Sequence, residues 1–591
     1  MKMKNIVFTG FIIVLITGAI GCSKFLDRQP LSKISPSSAF NSESELKLYV
    51  NSFYDAMLPN ADNDNNAFTS LYNEDADNIV KGQLSNTSNP GSRTVPVSGG
   101  GWSWGNLRNI NYFLQNYQTG GLPASVTSKY VGVARFFRAY FYFNMVARFG
   151  DVPFYNKAMD SNDTLALTIP RTSRSIVMDS VMQDLDFAIN NLPTGKDVAS
   201  ITRWTALALK SRAALFEGTF RKYHPEMNLQ GGDTFLQASA DAALTLMQNG
   251  GYQLFTSSPN IAYRDLFAAY NPQASEVILA RQYSQSLSIF HNVNYYTITP
   301  SYGKPGMEKR LVNSYLMKDG SRFTNRPGFD TMTFFNETQN RDPRLGQTIR
   351  IPGYQRIGTT TNVVPSFSAT VTGYQMVKFV TGTVDDNFSK SYNALPIFRY
   401  AEVLLNYAEA KAELGTLTQD DLNKTIQLIR ARVSMPALDM NTANANPDSY
   451  LATQYANVSG PNIGVILEIR RERRIELVME GFRWNDLMRW KEGHLLADQF
   501  KGEYFPGPGN YDLDGDGKTD LIIYTGTKPT TSGVQILKLG NDVILENGTS
   551  GGKILINSNI PKTFNENRDY LYPIPTQELL LNPNLTQNPN W

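Results

Sequence analysis

One stretch of this chain, RYAEVLLNYAEAKAELG from Arg399 to Gly415, carries two apolar stripes at helical spacing. The first stripe contains Leu404, Ala408 and Ala412, and the second contains Val403, Tyr407, Ala410 and Leu414. The polar face holds Glu402, Asn406, Glu409 and Glu413, and Gly415 ends the helix. A helix with two apolar stripes needs neighbours on two sides, as in stacked helical pairs. The stretch therefore predicts a layered helical scaffold.

Other segments repeat the helical pattern on both sides of this stretch. The segment from Val131 to Phe149 is apolar nearly all round, which predicts a helix buried among other helices and ended by Gly150. Helical spacing also predicts helices starting near residue 42 and over about 104–117, 174–191, 203–217, 234–249, 419–433, 463–480 and 482–491. Residues 252–395 have no sustained helical period, and an irregular segment of this length in a compact protein usually serves a function.

Together these patterns predict a mainly α protein after residue 21. Residues 22–591 are expected to form one domain, with a helical scaffold over about 42–250 and 397–491. A large irregular ligand-binding excursion is expected over 252–395, and short strands with a C-terminal tail over 511–591.

The N-terminus has the features of a bacterial lipoprotein signal. Lys2 and Lys4 precede an apolar run from Ile6 to Ile20, and Cys22 follows it. A run this short predicts a cleaved signal peptide over residues 1–21 rather than a membrane span. Cys22 is then the acylated new N-terminus, which tethers the rest of the chain to a membrane surface. The alternative interpretation is an ordinary signal peptide in which the cysteine has no role.

Composition excludes several classes of site and partner. Cys22 is the only cysteine, so the mature chain has no disulfide and no cysteine metal site. The net charge of +2 without a basic cluster argues against nucleic acid as a partner. Aromatic residues make up 12% of the chain, and many of them lie in polar, Gly/Asn-rich segments. Rings placed there either pack against sugar faces or apolar peptide side chains, or hold long loops in place.

Several motifs, in this order and spacing, resemble the SusD/RagB family of outer-membrane lipoproteins. They are VARFFRAYFY from Val133, FGDVPF from Phe149, NRDPRL from Asn340, RYAEVLLNYAEA from Arg399, ERRIEL from Glu472, EGFRWNDLMRW from Glu480, YPIP from Tyr572 and NPNLTQNPNW from Asn582. The resemblance implies a scaffold of degenerate tetratricopeptide-like helix pairs. It also implies capture of a nutrient, usually a glycan and in some members a peptide. The resemblance further implies that the protein is lipid-anchored in the outer membrane, faces the cell exterior and delivers the captured nutrient to a SusC-like, TonB-dependent barrel that it caps at the cell surface.

Two loop regions are the candidates for ligand binding. The first contains the acidic residues Asp75 and Asp77 and the stretch Gly99 to Asn106, with Trp102, Trp104 and Asn106. The second lies in the middle excursion and contains Tyr295, Tyr296 and Tyr302. An indole or phenol ring covers the apolar face of a sugar, while an amide or carboxylate binds its hydroxyls. Trp102 is the better candidate, since Trp104 also fits the first core position of a helix.

A calcium-loop pattern lies near the C-terminus. Asp512, Asp514, Asp516 and Asp520 occupy positions one, three, five and nine, and Gly517 occupies position six. Ile523 stands where an EF-hand has its bidentate glutamate, and strand-like residues follow instead of a helix. The pattern predicts a structural calcium ion, and the alternative is a hydrophilic Asp-Gly turn. No other cofactor is predicted.

The remaining chemical motifs favour structural roles. Glu476 and Glu480 share a helix face and could suggest a glycoside hydrolase, but the arginines around them predict an ion-pair network instead. The three histidines are scattered, and Gly548 to Gly552 resembles a nucleophile elbow but lacks the following helix. We therefore predict a non-enzymatic binding protein. The alternatives are a surface glycoside hydrolase, a peptide-binding protein and a purely structural lid of the transporter.

Overall fold

The computed structural model describes residues 40–60, 76–85, 88–159, 162–163, 167–301 and 303–591. Its helices before residue 400 are α1 (Glu43–Met57), α2 (Gly105–Asn116), α3 (Ala124–Phe149), α4 (Arg174–Asn191), α5 (Arg203–Tyr223), α6 (Gly232–Asn249), α7 (Ala262–Ala268), α8 (Val293–Ile298), α9 (Lys309–Ser314), α10 (Phe334–Thr338) and α11 (Pro343–Thr348). They are followed by α12 (Tyr400–Glu413), α13 (Gln419–Asn423), α14 (Ile426–Arg432), α15 (Met440–Ala445), α16 (Ser449–Gln454), α17 (Ile463–Glu476), α18 (Arg483–Arg489) and α19 (Thr576–Leu581). The signal peptide and Cys22 lie outside the described residues.

The long helices stack in succession, which confirms the predicted helical scaffold. Helix α3 packs against α4, α4 against α5, and α5 against α6. Helix α12 packs against α6 on one side and against α17 on the other, as its two apolar stripes require. In the part of the chain that the structure describes, no helix combines the length and apolar character needed to cross a bilayer.

The polar face of α12 is buried, although its sequence pattern suggests a face toward water. Glu402 accepts from Arg212, Asn406 from Arg473, and Glu409 from Arg489. The three arginines lie on α5, α17 and α18. These polar side chains therefore connect α12 to other helices of the scaffold. A buried carboxylate is tolerated when a guanidinium neutralises it and satisfies its oxygens.

The predicted helix over 419–433 is wrong in one respect, since it is two helices. Helix α13 begins with a capping box, in which Thr418 and Asp421 bond to each other's backbone N–H groups. Thr425 then adopts φ −131° and ψ −87°, outside the helical region, and α14 starts after it. The buried side chain of Thr425 bonds to the carbonyl oxygen of Asp421. Such local bonds let threonine compete with helix continuation.

Among the residues that the structure describes, the strands are short and form four small sheets. They are β1 (Ile79–Val80), β2 (Val277–Arg281), β3 (Gly306–Met307), β4 (Leu395–Arg399), β5 (Phe500–Phe505), β6 (Gly509–Tyr511), β7 (Leu521–Tyr524), β8 (Gln535–Lys538) and β9 (Gly552–Ile556). The antiparallel pairs are β1–β3, β2–β4, β5–β9 and β6–β7, and β7–β8 is parallel. Strand β4 runs directly into α12, so the stretch that predicted a helix from 397 begins as a strand.

Two large hydrophobic cores contain most of the buried apolar side chains that the structure describes. The larger lies among the scaffold helices and includes Phe136, Phe216 and Leu404. The second joins the middle segment to the C-terminal strands and includes Tyr263, Tyr374 and Ile554. Residues 252–395 and 500–556 therefore form one body through a common core. The end of α17 connects the two cores, because Ile469 belongs to the first and Ile475 to the second.

The second core contains a buried carboxyl group without a partner. Glu503 on β5 is buried, and neither of its carboxyl oxygens has a hydrogen-bond partner among the described residues. Burial, together with the nearby carboxylate of Glu337, raises the pKa of Glu503 well above its usual range. The folded protein therefore keeps Glu503 protonated at pH values where the unfolded chain ionises it.

We expect the free energy of unfolding to fall as the pH rises above about 4.5, the ordinary pKa of a glutamate. Glu503 alone should account for a fall of about 1.4 kcal/mol per pH unit. The fall ends at the folded-state pKa. Glu503→Gln removes this dependence, so the variant should be more stable than the wild type at pH 8 and similar to it at pH 4. Urea unfolding between these pH values measures the effect. Glu546→Gln is the control, because Lys501 and Lys553 lower the pKa of Glu546 against the effect of burial. An equal gain in stability at pH 8 in this variant would contradict the assignment of the pH dependence to Glu503.

Candidate functional site

Asp77, from the acidic loop predicted to bind ligand, lies in the protein interior. Asp75 lies outside the described residues, and Asp77 is fully buried. Arg483 donates to both oxygens of Asp77, at 2.6 and 2.9 Å, and Arg474 donates at 3.0 Å. Burial alone would raise the pKa of Asp77, but the two guanidinium groups lower it well below its usual range. The prediction that Asp77 binds ligand is therefore wrong: its charge is neutralised inside the protein.

The stretch Gly99 to Asn106 leads into α2, and its tryptophans are packed rather than open. Trp102 is 5% exposed and makes edge contacts with Trp104 and Phe149, at ring distances of 5.4 and 4.9 Å. Trp102 is therefore not an open stacking ring, contrary to the prediction. Trp104 is half-buried and precedes the first residue of α2. The amide of Asn106 donates to the carbonyl oxygen of Ala56, so it ties α2 to α1.

These tryptophans line a cavity of about 630 Å³, which we call the tryptophan cavity. Its walls come from the start of α2, from residues 153–159 and 167, and from the C-terminal region around α19. The ring planes of Trp104 and Tyr155 meet at 83°, so the aromatic wall forms a corner. A volume of this size is typical of small-ligand sites.

The tyrosines predicted in the middle excursion differ in exposure. Tyr296 on α8 is buried in the second core, so the prediction that it contacts ligand is wrong. Tyr295 is half-buried, and its ring meets Phe388 edge-on at 5.6 Å. Tyr302 lies outside the described residues.

Around Tyr295 the structure brings together an aromatic surface that sequence reasoning did not assemble. We define the aromatic surface as Tyr270, Phe290, Tyr295, Phe388 and Tyr392. The rings of Tyr270 and Tyr392 stack 4.1 Å apart with an interplanar angle of 11°, and Phe290 meets Tyr392 edge-on. Phe388 is 53% exposed and Tyr270 is 37% exposed. Exposed rings held in fixed orientations are suited to stacking on a flat apolar face of a ligand.

Buried polar groups hold the aromatic surface in place. The hydroxyl of Tyr270 donates to Asp385 at 2.8 Å, and Asp385 also accepts from Thr381. Burial and this hydrogen bond raise the pKa of Tyr270, so its phenol stays neutral. The side chain of Asn292 accepts from the backbone of Ser389 at 2.6 Å, which fixes the loop that carries Phe388.

Polar side chains lie between the rings. The segment Asp386-Asn-Phe-Ser-Lys-Ser-Tyr392 places Asn387, Ser389 and Lys390 at exposed positions beside Phe388. The Lys390 ammonium lies 5.7 Å from the centre of the Phe290 ring. Amide, hydroxyl and ammonium groups beside aromatic rings can bind the hydroxyls of a ligand whose apolar face covers a ring. The sequence signal that could have indicated these residues is the occurrence of single aromatic residues within a polar segment.

The Asp-rich loop, for which calcium binding stays a prediction, brings three of its four acidic residues together. The carboxylates of Asp512, Asp514 and Asp520 lie within 4.8 Å of one another. Asp516 does not join them, because its carboxylate accepts from the backbone N–H and the ammonium of Lys518. Burial, with the neighbouring acidic residues, raises the pKa of Asp520. A cation would relieve the repulsion among these carboxylates.

Glu476, the last residue of α17, and Glu480, which follows the helix, form the predicted ion-pair network. Glu476 accepts from Arg399 at 2.7 Å and from Arg432 at 2.6 Å with both oxygens, and Arg344 lies 3.3 Å away. Glu480 accepts from Arg399 and Lys378. Burial opposes ionisation of both glutamates, but the surrounding cations lower both pKa values. Two buried carboxylates held ionised cannot act as the general acid of a glycosidase.

The other motifs also have the structural roles expected of them. His224 bonds to the carbonyl oxygen of Met488 and stacks on Phe220. Burial lowers the pKa of His291 to about 4, so it is neutral at pH 7. Residues Gly548–Ser550 form one helical turn that leads into strand β9 rather than into a helix.

Comparison with known proteins identifies the family. Residues 275–591, more than half of the chain, match the family model described as "SusD family". Residues 24–215 match the model described as "Starch-binding associating with outer membrane". SusD-like protein P38 of Formosa agariphila is 24% identical over 522 residues, which cover 83% of this chain and 92% of that protein. SusD-like protein P2 of the same organism is 22% identical and covers 100% of this chain and 99% of its own.

Solved structures share the fold. A SusD-like carbohydrate binding protein from Bacteroides fragilis superposes with a TM-score of 0.69 at 23% identity, covering 93% of this chain and 99% of that chain. A second SusD-like protein from the same species gives a TM-score of 0.66 at 22% identity, with 95% and 100% covered. These matches confirm the resemblance read from the motifs, and the chain belongs to the SusD family.

Proposed function

We propose that this protein binds an oligomeric nutrient, a glycan, at the cell surface and delivers it to a SusC-like, TonB-dependent barrel in the outer membrane. The observation that carries the proposal is the aromatic surface. The rings of Tyr270 and Phe388 are exposed and the other three are half-buried; ring contacts fix their orientation, and exposed polar side chains flank them. Membership of the SusD family and a matching model described as starch-binding support a glycan as the ligand.

The protein is proposed to bind its ligand without cleaving it. A glycosidase needs two carboxylates facing one cleft, one of them able to hold a proton. Glu476 and Glu480 are buried and neutralised by arginines and a lysine. The two carboxylates whose spacing in the sequence could suggest hydrolysis therefore form ion pairs that hold the scaffold together.

The protein is further proposed to be held at the outer membrane by a lipid on Cys22, facing the exterior. The N-terminal sequence supports the lipid anchor, and the family description supports association with the outer membrane. The barrel partner rests on family membership. A purely structural lid of the barrel would need no ligand of its own, whereas a binding protein retains one in the absence of the barrel.

A panel experiment tests the proposal. Purified residues 23–591 are incubated with polysaccharides and, as a second arm, with peptides, and bound ligand and released product are measured in the same samples. Retention of a polysaccharide without product supports the proposal. Retention of peptides alone would change the proposed ligand from a glycan to a peptide. Released product would replace the binding role with hydrolysis. Retention of neither ligand would favour a purely structural lid of the barrel.

We also propose that the loop of Asp512, Asp514 and Asp520 binds a structural calcium ion. Calcium should raise the melting temperature, because a ligand at a hundredfold excess over its Kd stabilises the folded state by about 2.7 kcal/mol. Asp512→Asn should remove this effect, whereas Asp319→Asn, in an exposed turn elsewhere, should retain it. Calorimetry without heat and a melting temperature that calcium does not change would contradict the proposal.

A further inference from the structure

The tryptophan cavity has a lining poorly suited to an unsubstituted glycan. Its lining includes Leu107, Pro153, Leu581 and Leu585 beside the aromatic corner. Sugar hydroxyls that leave water for apolar side chains such as these lose hydrogen bonds that those side chains do not replace. The cavity therefore calls for a ligand of a different class from the glycan proposed for the aromatic surface.

The amides in the lining are largely committed to the protein. Asn582 donates to the carbonyl oxygen of Ile169 and accepts from the backbone of Asn584. Asn111 donates to the carbonyl oxygens of Tyr155 and Lys157. The acceptor Oδ1 of Asn111 has no donor among the described residues, so it would bind a donor group of a ligand, and an anionic group needs a cation elsewhere in the lining.

The charged side chains of the lining give it a net positive charge. Arg108 and Lys157 are exposed cations, and Glu578 is the acidic residue. Neither cation forms an ion pair with another residue that the structure describes. Two cations and one carboxylate leave one positive charge beside an apolar volume. An anionic group on a ligand would be attracted to this charge, and its apolar body would be buried beyond it.

We propose that the tryptophan cavity binds a small apolar molecule with one anionic group, of the aromatic carboxylate class. The aromatic corner of Trp104 and Tyr155 accommodates a ring, because edge-to-face contacts are favourable for aromatic groups. Arg108 presents a guanidinium, the group that matches a carboxylate with two parallel hydrogen bonds. The site is independent of glycan binding, so either activity can be present without the other.

Cinnamate is the probe, and cinnamyl alcohol is its neutral counterpart with the same ring and chain length. Calorimetry on residues 23–591 should show cinnamate binding at least about tenfold more tightly than cinnamyl alcohol, since a charge-assisted bond contributes more than a neutral one. Arg108→Gln should reduce this preference to near unity. Equal affinities of the wild type for the two probes, or no heat with cinnamate, would overturn the proposal.

A second variant locates the site. Gly105 lines the cavity, and a side chain added there meets open space. Gly105→Phe should weaken cinnamate binding by at least about tenfold by occupying the volume. Gly195→Phe is the matched control, because that glycine also has open space around it and does not line the cavity. Circular dichroism checks that both variants are folded. Cinnamate affinity unchanged in a folded Gly105→Phe variant would place the ligand elsewhere and overturn the proposal.

Discussion

Glu476→Ala is expected to lower the free energy of unfolding by about 3–5 kcal/mol, the usual cost of removing one partner from a buried ion pair. Glu476 is fully buried and faces the guanidinium groups of Arg344, Arg399 and Arg432. Without its carboxylate these cations lose a shared counter-charge in a region that water does not reach. Their mutual repulsion then adds to the loss of hydrogen bonds.

The effect reaches beyond one contact, because the arginines come from different elements. Arg344 lies on α11, Arg399 ends β4 and Arg432 lies on α14. Glu476 itself closes α17, which connects the two cores. Removing the carboxylate should therefore loosen the second core against the helical scaffold, and Arg344 and Arg399 should become more accessible to labelling reagents.

Urea unfolding followed by circular dichroism measures this prediction. Glu43→Ala is the control, since it also removes a glutamate from an ion pair, with Lys129, but at an exposed position. Exposed pairs contribute little, so the control should unfold at the wild-type midpoint. A Glu476→Ala protein that unfolds at the same urea concentration as the wild type would show that the network does not stabilise the fold.

Tyr392→Ala is expected to weaken glycan binding by about 2 kcal/mol, or roughly thirtyfold in Kd, the size typical of a central aromatic contact. Tyr392 connects the aromatic surface, because its ring stacks on Tyr270 and meets Phe290 edge-on. Its removal deletes one stacking face and releases the ring beside it. The ligand in this test is the polysaccharide that the wild type retains in the panel.

Two variants separate ring stacking from other effects. Tyr392→Phe keeps the ring and should bind the polysaccharide nearly as well as the wild type. Leu580→Ala removes an apolar side chain that is 84% exposed outside the aromatic surface, and should leave affinity unchanged. Calorimetry or affinity electrophoresis measures all three. Wild-type affinity in a folded Tyr392→Ala protein would exclude the aromatic surface as the binding site.

The motifs that resemble the SusD/RagB family have a physical explanation in the ion-pair network. Arg344, Arg399, Glu472, Glu476 and Glu480 come from four separate motifs and meet in the interior. A buried guanidinium tolerates few replacements, since lysine does not supply the same planar fork of donors. The sequence showed acidic and basic residues alternating along one helix. It did not show that two partners of that helix, Arg344 and Arg399, lie more than seventy residues away.

The candidate site was harder to predict than the scaffold. Asp77 and Tyr296 stand in segments with the composition of binding loops, yet both are buried. Tyr270, Phe290 and Tyr392 were not among the predicted ligand-binding residues, although the structure brings their rings together. Composition indicates that a loop is polar and aromatic, but it does not indicate which ring faces water. That outcome depends on which core the loop packs against.

Sequence alone determined the helical scaffold, its approximate helix bounds and the ion-pairing role of Glu476 and Glu480. Helical periodicity is local, because residues three and four apart share one face, and each segment reports its own burial. Only the tertiary structure decided that residues 252–395 share a core with the C-terminal strands, and which aromatic rings remain exposed. Those outcomes depend on contacts between segments distant in sequence, and no local pattern encodes which of several apolar faces a given ring will meet.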